Sequence, residues 1–116
     1  MPNNFANELA RTLQAYSKDV EKKVKQAENK VGNEAVTEIK QNSPQDTGSY
    51  AAGWGKTKVD GKTVIRNKTD PQLTHLLEHG HAKDGGGRVS GHPHIRPAKE
   101  KAVRNFTEEV ERAIRS

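Results

Sequence analysis

Cysteine is absent from these 116 residues. No disulfide and no thiolate metal site can form, and cysteine usage leaves the compartment open. Aromatic residues make up 4% of the chain and hydrophobic residues 30%, matched by 30% charged. That is thin material for a core, and it argues against a large enzyme with a deep apolar pocket. No stretch approaches the ~20 apolar residues of a membrane span, so no membrane partner is expected. The opening Met1-Pro2-Asn3-Asn4 has no basic stretch followed by an apolar run, which predicts no secretory signal. The length suits one domain covering residues 1–116.

Charge is present but not concentrated. The formal net charge is +5. Residues 43–69 hold five basic and two acidic side chains, and the other segments are near balance. A nucleic-acid binder gathers Lys and Arg on one face or stripe, so specific nucleic-acid binding is not expected. The basic side chains of the 43–69 segment, Lys56, Lys58, Lys62, Arg66 and Lys68, form a candidate basic surface. It would suit a DNA channel or an acidic protein. Lysines on an exposed hairpin also keep its edges soluble.

The first third reads as helix. Phe5, Leu9, Leu13, Tyr16, Val20, Val24, Ala27, Val31, Ala35 and Ile39 recur three or four apart, which lines one face. The stripe is rich in Ala and Val and is not a clean heptad, so packing on a small core is expected rather than a coiled coil. Gly32-Asn33 predicts a kink or a split, and Ser43-Pro44 ends the pattern. A turn-rich loop follows over 43–53. Trp54–Val59 and Lys62–Asn67 then flank Asp60-Gly61, the signature of a tight hairpin. Asp70-Pro71 reads as an N-cap and first helical residue, and Leu73, Leu76 and Leu77 as the apolar face of a short helix stopped by Gly80. Residues 80–96 predict a long irregular loop. Pro97 is expected to open a last helix, whose buried stripe is Ala98, Ala102, Phe106, Val110 and Ile114.

All five histidines, His75, His79, His81, His92 and His94, fall in one stretch. His75-Leu76-Leu77-Glu78-His79 matches the H-x-x-E-H pattern of inverted zinc metallopeptidases. In that alternative, a small zinc-binding hydrolase, His75 and His79 bind the metal and Glu78 activates water. Against it, a five-residue pattern arises easily by chance, and Leu76 and Leu77 are expected to serve the core. No metal, cofactor or catalytic residue is therefore assigned. Gly85-Gly86-Gly87-Arg88 lacks the Gly-Lys-Ser/Thr ending of a phosphate loop, so flexibility is its expected role.

The order of motifs resembles a known family. Ser43-Pro44-Gln45-Asp46-Thr47-Gly48-Ser49-Tyr50 carries a P-x-D-T-G turn after the first helix. Leu76-Leu77-Glu78-His79-Gly80-His81 carries a hydrophobic-E-x-G element. His94-Ile95-Arg96-Pro97-Ala98 carries the P-x-hydrophobic-x-P-A element before the last helix. This is similar to the head–tail joining, or tail-completion, proteins of long-tailed bacteriophages and prophages, the gp-ten-like minor structural proteins. Family members often carry Thr after the Gly, where this chain has His81. The resemblance implies an α+β fold, with a long N-terminal amphipathic helix and a C-terminal helix packed on a small antiparallel sheet, a short middle helix and long mobile loops. It implies a non-enzymatic structural role in the virion neck or tail, reached through the host cytoplasm during assembly. Copies would form a ring, as a hexamer, between the head-closure or connector protein and the tail tube protein, from a free monomer. Within that frame the expected interface is Asp46, Thr47 and Gly48 in the first loop, and Glu78, Gly80, His81, Gly85, Gly86, Gly87, Arg88, His92 and His94 beyond it.

Overall fold

The computed structural model describes residues 5–45 and 48–115. The fold is α+β. Its elements run α1 (Phe5–Asn42), α2 (Ser49–Ala52), β1 (Trp54–Val59), β2 (Lys62–Asn67), a 3-10 turn (Pro71–Leu73), α3 (Thr74–His79), β3 (Gly80–Ala82), β4 (Arg88–Ser90) and α4 (Ile95–Arg115). Asp46 and Thr47, and the side chain of Phe5, lie outside the described residues. The molecule is elongated. Its radius of gyration is 21.0 Å, where a compact chain of this length has about 13 Å.

α1 and α4 pack against each other more extensively than any other pair of helices. They run antiparallel, because partners of rising number on α1 have falling number on α4. Tyr16 donates to the Ile114 carbonyl at 2.6 Å, Lys30 meets Glu109 at 3.0 Å, and Glu38 meets Lys101 at 3.2 Å. Between them lies a seam of small side chains: Ala27, Val31 and Ala35 from α1, Ala98 and Ala113 from α4, all buried. Exposed ion pairs of this kind are each worth only about 0.2–1 kcal/mol. They fix the register of a seam that buries little area.

α1 is a single continuous helix, which corrects the split expected at Gly32-Asn33. The glycine answers a packing need. A Cβ on Gly32 would stand 3.3 Å from Lys56 Cδ and 3.6 Å from Thr63 Cγ2, so the hairpin lies directly over it. α4 begins at Ile95, two residues before Pro97. Ala113, not Ile114, is buried at its far end. The reason is geometric. A strict four-residue repeat drifts about 40° per step on a helix of 3.6 residues per turn, so Ile114 lies about 160° from Ala98.

β1 and β2 form the expected hairpin, pairing Trp54 with Asn67 through Val59 with Lys62. Asp60 and Gly61 both have positive φ, 51° and 78°, as a type I′ turn requires. Trp54, Lys56, Thr63 and Ile65 share the face turned to α1. Gly55, Val59, Val64 and Arg66 share the outer face, where Val59 is exposed. The segment expected as an irregular loop holds a second, separate ribbon, with β3 and β4 paired from Gly80–Ser90 to Ala82–Arg88. Gly80 and Gly91 permit it. A Cβ on Gly80 would meet the Val89 carbonyl at 2.3 Å, and one on Gly91 the Glu78 carbonyl at 2.5 Å.

The core sits where these elements meet. Ile39, Tyr50, Trp54 and Ala98 are its buried centre, with Val36, Ile65, Leu73, Leu77 and Ile95 against it. Leu76, expected to pack here, is exposed, and Glu78 points inward instead. Asp70 stands at the expected N-cap position with Pro71 first after it, but its side chain makes no cap bond. Its carboxylate accepts from the Ser49 hydroxyl at 2.8 Å, and the turn after it is 3-10.

Candidate functional site

The three segments singled out by the motif pattern converge on one buried node. Its centre is Glu78, at the end of α3 and 7% exposed. One carboxylate oxygen accepts from the backbone N–H of His94 at 2.9 Å and of Ile95 at 3.0 Å. The other accepts from the N–H of Arg96 at 3.0 Å. A helix leaves its first N–H groups without intrahelical partners. At α4 the next residue is Pro97, which has no N–H to satisfy. Glu78 and Pro97 together account for the whole first turn. A carboxylate at a helix N-terminus is also favoured by the helix dipole. Burial pushes the Glu78 carboxyl up, but the three N–H donors and neighbouring His94 outweigh it, and the net shift is downward.

His94 lies directly against this carboxylate and is 1% exposed. Its Nδ1 is 2.7 Å from the His92 carbonyl and 3.1 Å from Glu78 Oε1. Both neighbours only accept, so their geometry assigns the proton to Nδ1. The other ring nitrogen, Nε2, is 2.6 Å from the Tyr50 hydroxyl. In the neutral ring, Tyr50 therefore donates and His94 accepts. Burial, eased by a Thr74 hydrogen bond, raises the Tyr50 pKa and keeps the phenol protonated. Tyr50, Trp54 and His94 pack edge to face, with ring centroids 5.5–6.1 Å apart. Trp54 Nε1–H donates to Ser43 Oγ at 3.0 Å, and Ser43 donates to the Ile39 carbonyl at 2.5 Å. Every ring polar atom here has a partner, as burial demands.

Two further residues hold the node in place. Asn67 donates from Nδ2 to the Tyr50 carbonyl at 2.6 Å and accepts from the Asp70 N–H at 2.8 Å. His92 Nε2 donates to the Asn42 carbonyl at the end of α1 at 2.8 Å, while its N–H donates to the Leu77 carbonyl at 2.7 Å. The node thus ties α1, α2, α3 and α4 together.

The sequence-predicted residues fall into different places. Glu78, Gly80 and His94, expected at an interface, are buried in the free chain. Their side chains or backbone are used internally. Gly48 is half-buried before α2, with φ 83°. His81, Gly85, Gly86, Gly87, Arg88 and His92 are exposed on or beside the β3–β4 ribbon. Arg88 donates to the His79 carbonyl at 2.9 Å, which fastens that ribbon to α3.

His75 and His79 lie on the exposed side of α3 with ring centroids 4.9 Å apart. They line an open cleft of about 580 Å³ with Glu78, Arg96 and Lys99. The zinc-hydrolase reading needs Glu78 free to activate water. Here both its oxygens are occupied by backbone donors, so that role is corrected. Among the described residues no three His, Cys, Asp or Glu side chains gather as a metal site.

The candidate basic surface is likewise divided. Lys56 and Lys58 belong to the α1-facing side. Lys56 donates to the Asn29 carbonyl and Oδ1, and Lys58 pairs with Glu28 at 3.0 Å. Hydrogen bonds from Thr63, then Lys58, hold the Glu28 carboxyl below its ordinary value. Lys62 and Arg66 belong to the opposite face, and Lys68 lies beside Gly55 on that face.

Sequence reasoning missed Tyr50, Trp54 and Asn67 as a linked set, and Gly91. One signal was present: Tyr50 and Trp54 are two of only five aromatic residues and stand four apart in the sequence. No helix of the described residues is long and apolar enough to cross a membrane. The family model described as "Bacteriophage HK97-gp10, putative tail-component" matches residues 7–80. No curated protein and no solved structure matches the chain. The matched stretch runs from α1 through α3, taking in Tyr50, Trp54 and Glu78, and it covers well over half of the sequence. By that match, the chain belongs to the HK97 gp10-like family of bacteriophage tail components.

Proposed function

We propose that this protein is a single neck domain that joins or completes the tail at the head–tail interface, assembling as a ring between the head-closure (connector) protein and the tail tube protein. Its role is structural rather than catalytic. It would pass through the host cytoplasm as a free chain and end in the virion. One observation carries this reading. The motif segments that resemble the tail-completion family, around Tyr50, Glu78 and His94, bond to one another rather than to a vacant catalytic pocket. They form a frame that holds the long helix pair, the half-buried β1–β2 hairpin packed on α1 and the exposed β3–β4 ribbon. Such a frame presents binding surfaces, and it leaves no free acid, base or nucleophile at its centre. Within the reading, the exposed ribbon residues His81, Gly85, Gly86, Gly87, Arg88 and His92, with Asp46, Thr47 and Gly48, meet neighbouring proteins.

The test is genetic with an imaging readout. The gene is deleted in its phage or prophage, and the lysate is viewed by negative-stain electron microscopy. The expected result is filled heads and free tails that become joined particles when purified protein is added. Joined, infectious particles in the deletion would overturn the proposal.

A further inference from the structure

We propose that α1 carries a binding surface for duplex DNA, a stripe of lysine and arginine that holds the phosphate backbone without reading its sequence. Along the chain the positive charge is spread, but wound on α1 it gathers. At 100° per residue, Arg11, Lys18, Lys22 and Lys25 fall within an arc of about 60°. The acidic residues of α1, Glu8, Asp19, Glu21, Glu28, Glu34 and Glu38, all fall outside that arc. The stripe lies on the side of α1 turned away from α4, since the buried seam residues Ala27, Val31 and Ala35 centre about 180° from Lys22. All four cations are exposed. Lys18, Lys22 and Lys25 surround one open hollow of about 390 Å³ with Glu21, Gln26 and Asn29.

An ordinary solvated helix face alternates its charges, and other faces of this protein do so. Asp19–Lys23, Glu108–Arg112 and Glu111–Arg115 are i,i+4 pairs of opposite sign. The stripe departs from that pattern. Lys18 and Lys22 stand i,i+4 with like charge, and Lys22 and Lys25 stand i,i+3, which costs helix stability. A face that only met water would gain nothing from this arrangement. Arg11, Lys18 and Lys22 make no ion pair among the described residues. Lys25 lies 3.5 Å from Glu21, with both side chains well exposed, so that pair is weak and yields to a phosphate. From the hairpin, Lys56 reaches the same arc, where it donates to the Asn29 carbonyl and Oδ1 at 3.3 and 3.2 Å.

The chemistry of the stripe selects the partner. Between Arg11 and Asn29 the arc holds no aliphatic or aromatic side chain. Protein interfaces are depleted of lysine and anchored by buried aromatic and apolar groups, which this face lacks. Single-stranded nucleic acid is held by bases stacked on aromatic rings, and the nearest indole, Trp54, is buried in the core. Lysine, arginine and side-chain amides without apolar groups are instead the set that contacts duplex phosphates. The surface does not depend on the neck reading, and the two fail separately.

The test is fluorescence anisotropy of a labelled 20-bp duplex of arbitrary sequence, titrated with the protein from 50 to 200 mM salt. Four phosphate contacts give a slope of log K against log salt of about −3.6, a loss of about 150-fold over that range. Lys18→Gln with Lys22→Gln and Lys25→Gln should bind at least tenfold more weakly at 50 mM and flatten the slope to about −0.9. Lys22→Gln alone should already flatten it by about 0.9. A control of equal net charge, Lys83→Gln with Lys99→Gln and Arg104→Gln, removes exposed cations outside the stripe and should keep the wild-type slope. Circular dichroism checks that each variant is folded. No duplex binding by the wild type at 50 mM salt overturns the proposal. So does a control that loses as much as the stripe variant, because the attraction would then be net charge alone. Polyglutamate or anionic lipid vesicles that bind more tightly than duplex at equal salt overturn it in favour of an acidic protein or a lipid surface.

Discussion

Replacing Glu78 tests the central structural claim. Glu78→Ala leaves three N–H donors at the start of α4 without acceptors, those of His94, Ile95 and Arg96. A buried unsatisfied donor costs about 1–3 kcal/mol. His94 is fully buried, Ile95 half-buried and Arg96 exposed, so water can replace the carboxylate at Arg96 and partly at Ile95. The expected loss is about 2–4 kcal/mol, and for a chain of this size about 4 °C of Tm per kcal/mol. Glu78→Ala should therefore lower Tm by about 8–16 °C. Glu78→Gln keeps one acceptor but turns an NH₂ toward a donor, and should lose roughly half as much. The sign with pH follows from the folded carboxyl lying below its ordinary 4.5. Its contribution is complete above that value and is lost as pH falls through the lower folded one. The gap between wild type and Glu78→Gln should be widest near pH 7 and shrink below about pH 4.5. Thermal melts by circular dichroism across pH 3–7 measure this. A Glu78→Ala melt within 2 °C of wild type at pH 7 would refute the capping argument.

The remaining predictions are smaller. Tyr50→Phe removes the donor to His94 Nε2 and should cost about 1–3 kcal/mol in chemical denaturation; an unchanged midpoint would place the phenol outside the network. Long-range ¹H–¹⁵N spectra at pH 7.5 should show His94 protonated at Nδ1, and a proton on Nε2 alone would reverse the assigned tautomer. Gly91→Ala should expose the β3–β4 ribbon to rapid amide exchange, since its Cβ would fall 2.5 Å from the Glu78 carbonyl, whereas Gly85→Ala meets no atom and should cost only the ~1 kcal/mol of its positive φ. His75→Ala with His79→Ala should leave Tm unchanged with or without zinc after chelator treatment; a stoichiometric zinc-dependent rise in wild-type Tm would restore a metal role.

Local signals in the sequence predicted local structure well. The Asp60-Gly61 hairpin, the Ser43-Pro44 stop and the Gly80 stop each depend on a few adjacent residues, and each stands where their chemistry puts it. What failed depended on distant partners. Gly32 looks like a helix breaker until Lys56 and Thr63 are seen lying over it. Leu76 and Glu78 exchange their expected places because three N–H groups sixteen to eighteen residues away need an acceptor. Four-residue spacing pointed to Ile114 rather than Ala113 because it ignores helical drift. At the candidate site, the histidine cluster was visible but not its division of labour. His94 is core, His92 ties α1 to α3, His75 and His79 are exposed on α3 and His81 is exposed on the β3–β4 ribbon, and no spacing rule separates those roles.

The capping of α4 by a remote glutamate has a consequence for assembly. A Ser or Asp at the helix's own N-cap would start α4 by local chemistry alone. Glu78 instead belongs to α3, so the first turn of α4 is complete only when α3 and the β3–β4 ribbon are docked. The seam beyond that turn is lined by Ala27, Ala35, Ala98 and Ala113, side chains that bury little area. α4 therefore depends on its first turn more than a Leu-lined helix would. Disturbance of the exposed ribbon should be felt at the far end of α4, where Ile114 receives the Tyr16 hydroxyl. Amide exchange offers the check. Gly91→Ala should raise exchange along α4 as well as in the ribbon. Acceleration confined to residues 80–91 would show that the helix pair stands on its own.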